Sequence, residues 1–389
     1  MSDRFDDAEY AARGDRVRAA MAVAEIDVLY VTSPPNILYL TGYEAVWYPW
    51  RLPLGCAIVR DPELVLFFDW DRHAAYADLH ARRDHLVLFA YGEAPEVVAR
   101  AFADHGLAGA TVGLERSSLT PVGPVIDAVA AALTAGGATV ADGDWIVDDI
   151  RLYKSPAELE RLRRAGAIAD DAFAELQQRL RAGMTEIEVA ALLGLLLAER
   201  GSEAAASPSL VSSGPTGWMD THSFPSRRVL EDGDTVCVDS CAVIDRYHAN
   251  LCRTFAIGTP DPRAQALLEA GAGSIGELQR LARIGDGPEQ AAAAAQRWIG
   301  ERVPPDKVWW IGGYSLGIGL PPSWVGHTYL ANDGLRPVIL QAGYVSNYEM
   351  ILFDREAGFE AATIDTVLMT DAGLEVLSAL PRTLLETGG

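Results

Sequence analysis

The residues best suited to chemistry gather between Gly233 and Gly258, in GDTVCVDSCAVIDRYHANLCRTFAIG. Two apolar runs of strand character flank the polar break Asp245-Arg246-Tyr247, which reads as a hairpin. Side chains alternate faces along a strand, so Cys237, Asp239 and Cys241 share one side of the first run. On the return run His248, Asn250, Cys252 and Thr254 share a side. If the two sets face each other, one surface carries a carboxylate, an imidazole, an amide and thiols. A carboxylate on a sheet face is costly without a partner, which makes Asp239 a candidate functional group. Cys252 could be a nucleophile, since a thiolate beside a histidine is reactive, or a small buried residue. His248 could orient a ligand or be a satisfied core histidine.

Two further histidines lie in loops. His222 sits in Trp218-Met-Asp-Thr-His-Ser-Phe-Pro225, too aromatic for a simple linker. It could take a proton near neutral pH and activate water, or be structural. Trp218 and Asp220 of the same loop are candidate substrate contacts. His327, in Gly326-His-Thr328, closes a proline-rich stretch and is read as a substrate contact or a structural residue. The four cysteines form no CxxC pair and no disulfide spacing, which leads to the expectation of a reducing cytoplasm.

The elements that must position these groups follow from pattern. The chain has 389 residues, 49% hydrophobic and 22% charged, enough for two domains with substantial cores. A net charge of −22 argues against a nucleic-acid partner. The acidic, polar start MSDRFDDAEY predicts no signal peptide, and no apolar run is long enough to span a bilayer. Strands are predicted at 27–32, 56–59, 64–68, 86–89 and 111–114, with helices at 9–23, 96–105 and 122–134, an alternation that gives an α/β domain over residues 1–150. Ser155-Pro156-Ala157-Glu158 is a capping box opening a second domain, 151–389. Thr185-Glu-Ile-Glu188 is another. Helices at 262–283 and 288–301 and strands at 344–352 and 363–370 complete a rough repetition of helix pair and hairpin.

Several stretches together resemble the pita-bread peptidases, the family of methionine aminopeptidase, prolidase, aminopeptidase P and creatinase. They are Asn36-Ile-Leu-Tyr-Leu-Thr-Gly42, Ile150-Arg-Leu-Tyr-Lys-Ser155, Ala182-Gly-Met-Thr-Glu186, Gly233-Asp234, Arg253-Thr254-Phe255 and Asp365-Thr-Val-Leu368. The resemblance implies an α+β pita-bread catalytic domain preceded by a smaller α/β creatinase-type domain. It also implies a site built on five metal ligands, Asp, Asp, His, Glu and Glu, around two ions. Those positions fall on Asp239, Asn250, Leu316, Glu349 and Ile364. Two carboxylates and no histidine do not make a dinuclear centre, so neither metal nor other cofactor is expected.

The metal-independent members fit better. In a creatinase-like site the general base matches His222 and a substrate-binding carboxylate matches Glu349, while the other two positions fall on Cys252 and Ile364. Arg246-Tyr247-His248 and Tyr314-Ser-Leu-Gly-Ile-Gly-Leu-Pro-Pro-Ser-Trp324 resemble the corresponding segments of ectoine hydrolase, which opens a cyclic amidine. Arg51, beside the aromatic loop Trp47–Trp50, resembles an arginine that such dimers send into the neighbouring subunit's pocket. The expectation is a homodimeric hydrolase of a C–N bond in a small cationic amidine, guanidine or amide. His222, Asp239 and Glu349 would be catalytic, with either His222 activating water or Asp239 attacking directly to form a transient covalent intermediate, and Trp218, Asp220, His248, Asn250, Cys252, Tyr314, His327 and Arg51 would contact substrate. The competing expectations are a lyase or isomerase of a specialised pathway and a non-catalytic binding module.

Overall fold

The computed structural model describes residues 4–45, 51–219, 222–328, 330 and 337–387, apart from the side chains of residues 216, 218 and 219. The chain divides into two compact units, Met1–Arg151 and Leu152–Gly389.

The first unit is built on β1 (Val28–Val31), β2 (Gly55–Val59), β3 (Leu64–Trp70), β4 (His85–Phe89), β5 (Thr111–Leu114) and β6 (Thr139–Asp142). They form one sheet in the order β4-β3-β2-β1-β5-β6. β2 runs antiparallel to both neighbours, and the outer pairings are parallel. The helices Ala94–Asp104 and Gly123–Ala135 lay Val98, Phe102, Ile126 and Val129 on this sheet. The stretch after Ser33 turns out to be a helix, Pro34–Thr41. Proline is tolerated in a first helical turn, where its missing N–H would have had no partner. That turn is tied down by Glu115 at the end of β5. Its carboxylate accepts from the Thr32 and Ser33 amides at 2.8 Å and from Asn36 Nδ2 at 2.6 Å.

The second unit carries β7 (Leu210–Ser213), β8 (Thr235–Ile244), β9 (Tyr247–Ala256), β10 (Val308–Gly312), β11 (Val345–Asp354), β12 (Phe359–Thr370), β13 (Gly373–Val376) and β14 (Leu385–Glu386). The sheet order is β10-β11-β12-β9-β8-β7, with β13 on β12 and β14 on β9. The hairpin β8–β9 turns on Asp245 and Arg246, both with positive φ (52° and 68°), so the reversal takes two residues and Tyr247 already belongs to β9. Two consecutive residues at φ > 0 are the requirement of the I′ turn, whose twist matches that of the strands.

Alternation then divides the hairpin. Val236, Val238, Ala242, Ala249, Leu251 and Phe255 point to the helices Pro156–Arg179 and Glu186–Glu199. Both helices begin with the predicted capping boxes, on Ser155–Glu158 and Thr185–Glu188. The helix predicted over 262–283 is two helices, Pro262–Gly271 and Ser274–Leu281. At the break Gly273 lies so close to Trp298 that a Cβ would sit 2.4 Å from its ring. Among the described residues no helix is long and apolar enough to cross a membrane.

Candidate active site

The face of β8–β9 turned away from those helices floors a cavity of about 450 Å³. Register defines the floor. Asp239 on β8 pairs with Cys252 on β9, Cys252 with Ile364 on β12, and Ile364 with Glu349 on β11. These four residues form a row across four strands, and all line the cavity. Cys237, Ala362 and Ile351 make the parallel row two residues along. Walls come from Trp309 and Trp310 of β10 and from Tyr314 and Trp324 of the loop after it.

Two amides lock the carboxylates. Asn250 Nδ2 donates to Asp239 Oδ1 at 2.6 Å, and Asn347 Nδ2 donates to Glu349 Oε1 at 2.8 Å. Asn347 Nδ2 also donates to Asn250 Oδ1 at 2.9 Å, joining the two halves into one Asp239–Asn250–Asn347–Glu349 chain. Asn347 Oδ1 accepts from the Tyr314 amide at 2.7 Å, which fixes the amide's orientation and pins the loop to β11. Burial raises the Asp239 carboxyl to about 8 against the Asn250 hydrogen bond, helped by the negative charges of Glu349 and Glu360. Burial raises Glu349 to about 7, opposed by hydrogen bonds from Asn347, Trp310 and Tyr314. At neutral pH these values leave Asp239 mostly protonated and Glu349 divided between its two forms.

His222 lines the mouth, its exposed ring edge-on to Trp309 with centroids 5.4 Å apart. The cavity thus brings together His222, Asp239, Glu349, Cys252 and Tyr314. It does not include His248. That ring is fully buried, its Nδ1 donating to the Arg246 carbonyl at 2.8 Å and its Nε2 accepting from the Ala206 amide at 3.0 Å. Burial lowers it to about 4, so it stays neutral, as a ring that must both donate and accept has to be. The ring abuts Gly319, where a Cβ would come within 2.9 Å of it, so His248 shapes the glycine-rich loop instead of touching substrate.

Asn250 likewise holds Asp239 and is not part of the cavity wall. His327 is exposed on the same loop and outside the lining, and Arg51 is exposed in the first unit. The Trp218 side chain, Asp220 and the loop Trp47–Trp50 fall outside the described residues.

Sequence reasoning missed Asn347, Glu360 and Ser212. Asn347 could have been found from its spacing, two residues before Glu349 and so on the same strand face. Cys237 and Cys252, with sulfurs 3.3 Å apart, are both buried; the hydrogen bond between them, then burial, holds the Cys237 thiol well above its ordinary range, and burial raises Cys252 against that same contact. Poorly ionised thiols are poor nucleophiles, which favours packing as their role.

The other motif residues are structural. Arg253 and Asp365 form a fully buried ion pair at 2.8 Å, joined by Arg382 at 2.7 Å. Asp234 takes both arms of Arg228, at 2.6 and 2.9 Å, and Glu186 accepts from Ser213 and Ser226. Together they hold β7 against the segment that follows His222.

The two-unit architecture, with its cavity on the face of a curled sheet opposite the helices, is the pita-bread fold behind a creatinase-type N-terminal domain. The chain belongs to metallopeptidase family M24, whose model matches residues 160–371, and the creatinase/prolidase N-terminal domain model matches 13–153. It is similar to the ectoine hydrolase of Halomonas elongata, 26% identical over 98% of both chains. It is also similar to the probable dipeptidase PepE of Mycobacterium tuberculosis, 31% identical over 77% of this chain and 78% of that one. Among solved structures, the Xaa-Pro dipeptidase from Bacillus anthracis superposes with a TM-score of 0.82 at 22% identity, covering 97% and 99% of the two chains.

The residues present do not fit the metal pair that the family name implies. Asn250 offers Asp239 an N–H donor where a second carboxylate would have to accept, and Leu316 and Ile364 have no donor atom. Among the described residues no cluster of three or more His, Cys, Asp or Glu side chains is arranged to hold an ion.

Proposed function

We propose that the protein hydrolyses a C–N bond in a small cationic amidine, guanidine or amide, without a metal and without peptidase activity. One observation carries this reading. The cavity presents Asp239, Glu349 and Glu360 between aromatic walls, with no lysine or arginine among its described lining residues. Carboxylates held this way are unfavourable when ionised and unpaired, and a planar cation with N–H donors relieves that cost. Indole and phenol faces add attraction for the same charge.

In this reading Glu349 pairs with the amidinium or guanidinium and holds its carbon facing the cavity mouth. His222 takes a proton from water there, and the water oxygen bonds to that carbon. As the C–N bond breaks, the nitrogen keeps the bonding pair and takes the proton that Asp239 carries at neutral pH. Asn250 and Asn347 keep the two carboxyl groups in place throughout.

The test is a turnover screen by mass spectrometry. Cyclic amidines and guanidino compounds are compared with Xaa-Pro dipeptides, using chelator-treated protein with and without added Mn²⁺. Turnover of the cationic C–N substrates in chelator is expected. Best turnover of a dipeptide, dependent on Mn²⁺, would overturn the reading.

A further inference from the structure

Glu360 has no role in the reaction described, yet it is a carboxylate in the wall of the cavity. It lies on the same face of β12 as Ile364, four residues along, or roughly 13 Å of strand. Ile364 is the register partner of Glu349, so Glu360 and Glu349 mark opposite ends of the cavity. Asp239 stands in the same row as Glu349, on β8, and the charges of both glutamates act on it. The floor separating the ends is Cys237, Cys252, Ala362 and Ile364, which are packed and apolar.

The Glu360 carboxylate is held in place. Ser212 Oγ donates to its Oε2 at 2.7 Å, and Ser212 comes from β7, so two separate strands fix the group. The side chain is only 3% exposed. A buried acid at the end of an apolar trough, fixed from the side and lining the cavity, has the features of a recognition group.

Resting on the cationic-substrate reading above, we propose that Glu360 is a specificity-determining residue that receives a second cationic group of the substrate. The substrate class is then a molecule with an amidine or guanidine at one end and an amine at the other, separated by an apolar spacer. The spacer lies over the thiols and Ala362. A substrate with a carboxylate at the distal end is disfavoured by like charge.

The experiment uses two probes with the same four-carbon chain, agmatine, which carries a guanidinium and a distal ammonium, and n-butylguanidine, which ends in a methyl group instead. Their affinities are measured calorimetrically on the full chain. Wild type is expected to bind agmatine at least about tenfold more tightly, as one charge-assisted hydrogen bond in a shielded site provides. Glu360→Gln should abolish the preference for agmatine, bringing the two probes to within about twofold of each other, and its continued binding of n-butylguanidine shows that the variant is folded. Ser212→Ala should give part of the same loss. Glu349→Gln should weaken both probes.

An unaltered agmatine preference in Glu360→Gln would overturn this assignment alone. Equal binding of the two probes by wild type would do the same. Failure of wild type to bind n-butylguanidine at millimolar concentration would overturn the cationic-substrate reading and this assignment with it. Loss of both probes in Glu360→Gln, with full discrimination kept in Ser212→Ala, would also count against it.

Discussion

Glu115 in the first unit and Asp239 in the second are both carboxylic acids raised to about 8, chiefly by burial. Their surroundings differ in one respect. Glu115 is enclosed by the Thr32 and Ser33 amides and by Asn36, and it serves to start a helix. Asp239 has the single amide of Asn250 and opens on a cavity shared with Glu349, Glu360 and aromatic rings. A shifted acid therefore marks expensive burial, and only the space beside it separates a structural brace from a site.

The comparison is broken or sharpened most directly by removing each acid. Glu349→Gln should leave folding nearly unchanged and lower kcat/KM about 10²-fold or more, as loss of one preorganised electrostatic group does. Glu115→Ala leaves the Thr32 and Ser33 amides without their acceptor, while Asn36 keeps Asp148, so it should cost about 2–4 kcal/mol in the unfolding of the first unit, with turnover by the folded fraction retained. Denaturant titration alongside steady-state kinetics separates the two. The comparison collapses if Glu115→Ala abolishes turnover without loss of stability.

Acidity gives a second contrast. Asp239 and Glu349 bind protons more tightly folded than unfolded, so folding is favoured at low pH and that contribution is lost as pH rises towards 7 and 8. The melting temperature of Asp239→Asn should therefore rise relative to wild type between pH 5 and 9. Added n-butylguanidine should suppress this difference, because it pairs the charges in the cavity, and should leave the matching shift in Glu115→Gln untouched. For the same reason the cation's affinity should increase with pH between 6 and 8, by up to about tenfold per unit for each proton released. Affinity that falls with pH would reverse the proposed charge logic.

Smaller effects test residues assigned to support. His248→Ala orphans the Ala206 amide, so a loss of about 1–3 kcal/mol in stability is expected. Its pH–rate profile should keep the wild-type midpoints, since a ring that stays neutral titrates in neither limb. Cys252→Ala should cost about 1 kcal/mol and leave turnover in place, and complete inactivation would restore the thiol as a nucleophile.

Local information in the sequence determined a good deal. The capping boxes at Ser155 and Thr185, the hairpin around Asp245 and the strand Thr111–Leu114 are short-range patterns that tertiary packing had no reason to override. Alternation placed Asp239, Asn250 and Cys252 on one face, and the family motifs gave the fold. The split at Gly273 was not legible, and the close approach there is to Trp298, twenty-five residues away along the chain and in contact only after folding.

The division between site and support was likewise decided in three dimensions. His248 and Cys252 share a strand face, yet one is sealed under the glycine-rich loop and the other floors the cavity. Glu360 and Ser212 lie 148 residues apart and had no signal until the sheet curled them together. Strand periodicity tells which side of a sheet a residue faces. What lies on that side, whether loop, helix or open space for a ligand, depends on contacts between segments distant in sequence, and those exist only in the folded chain.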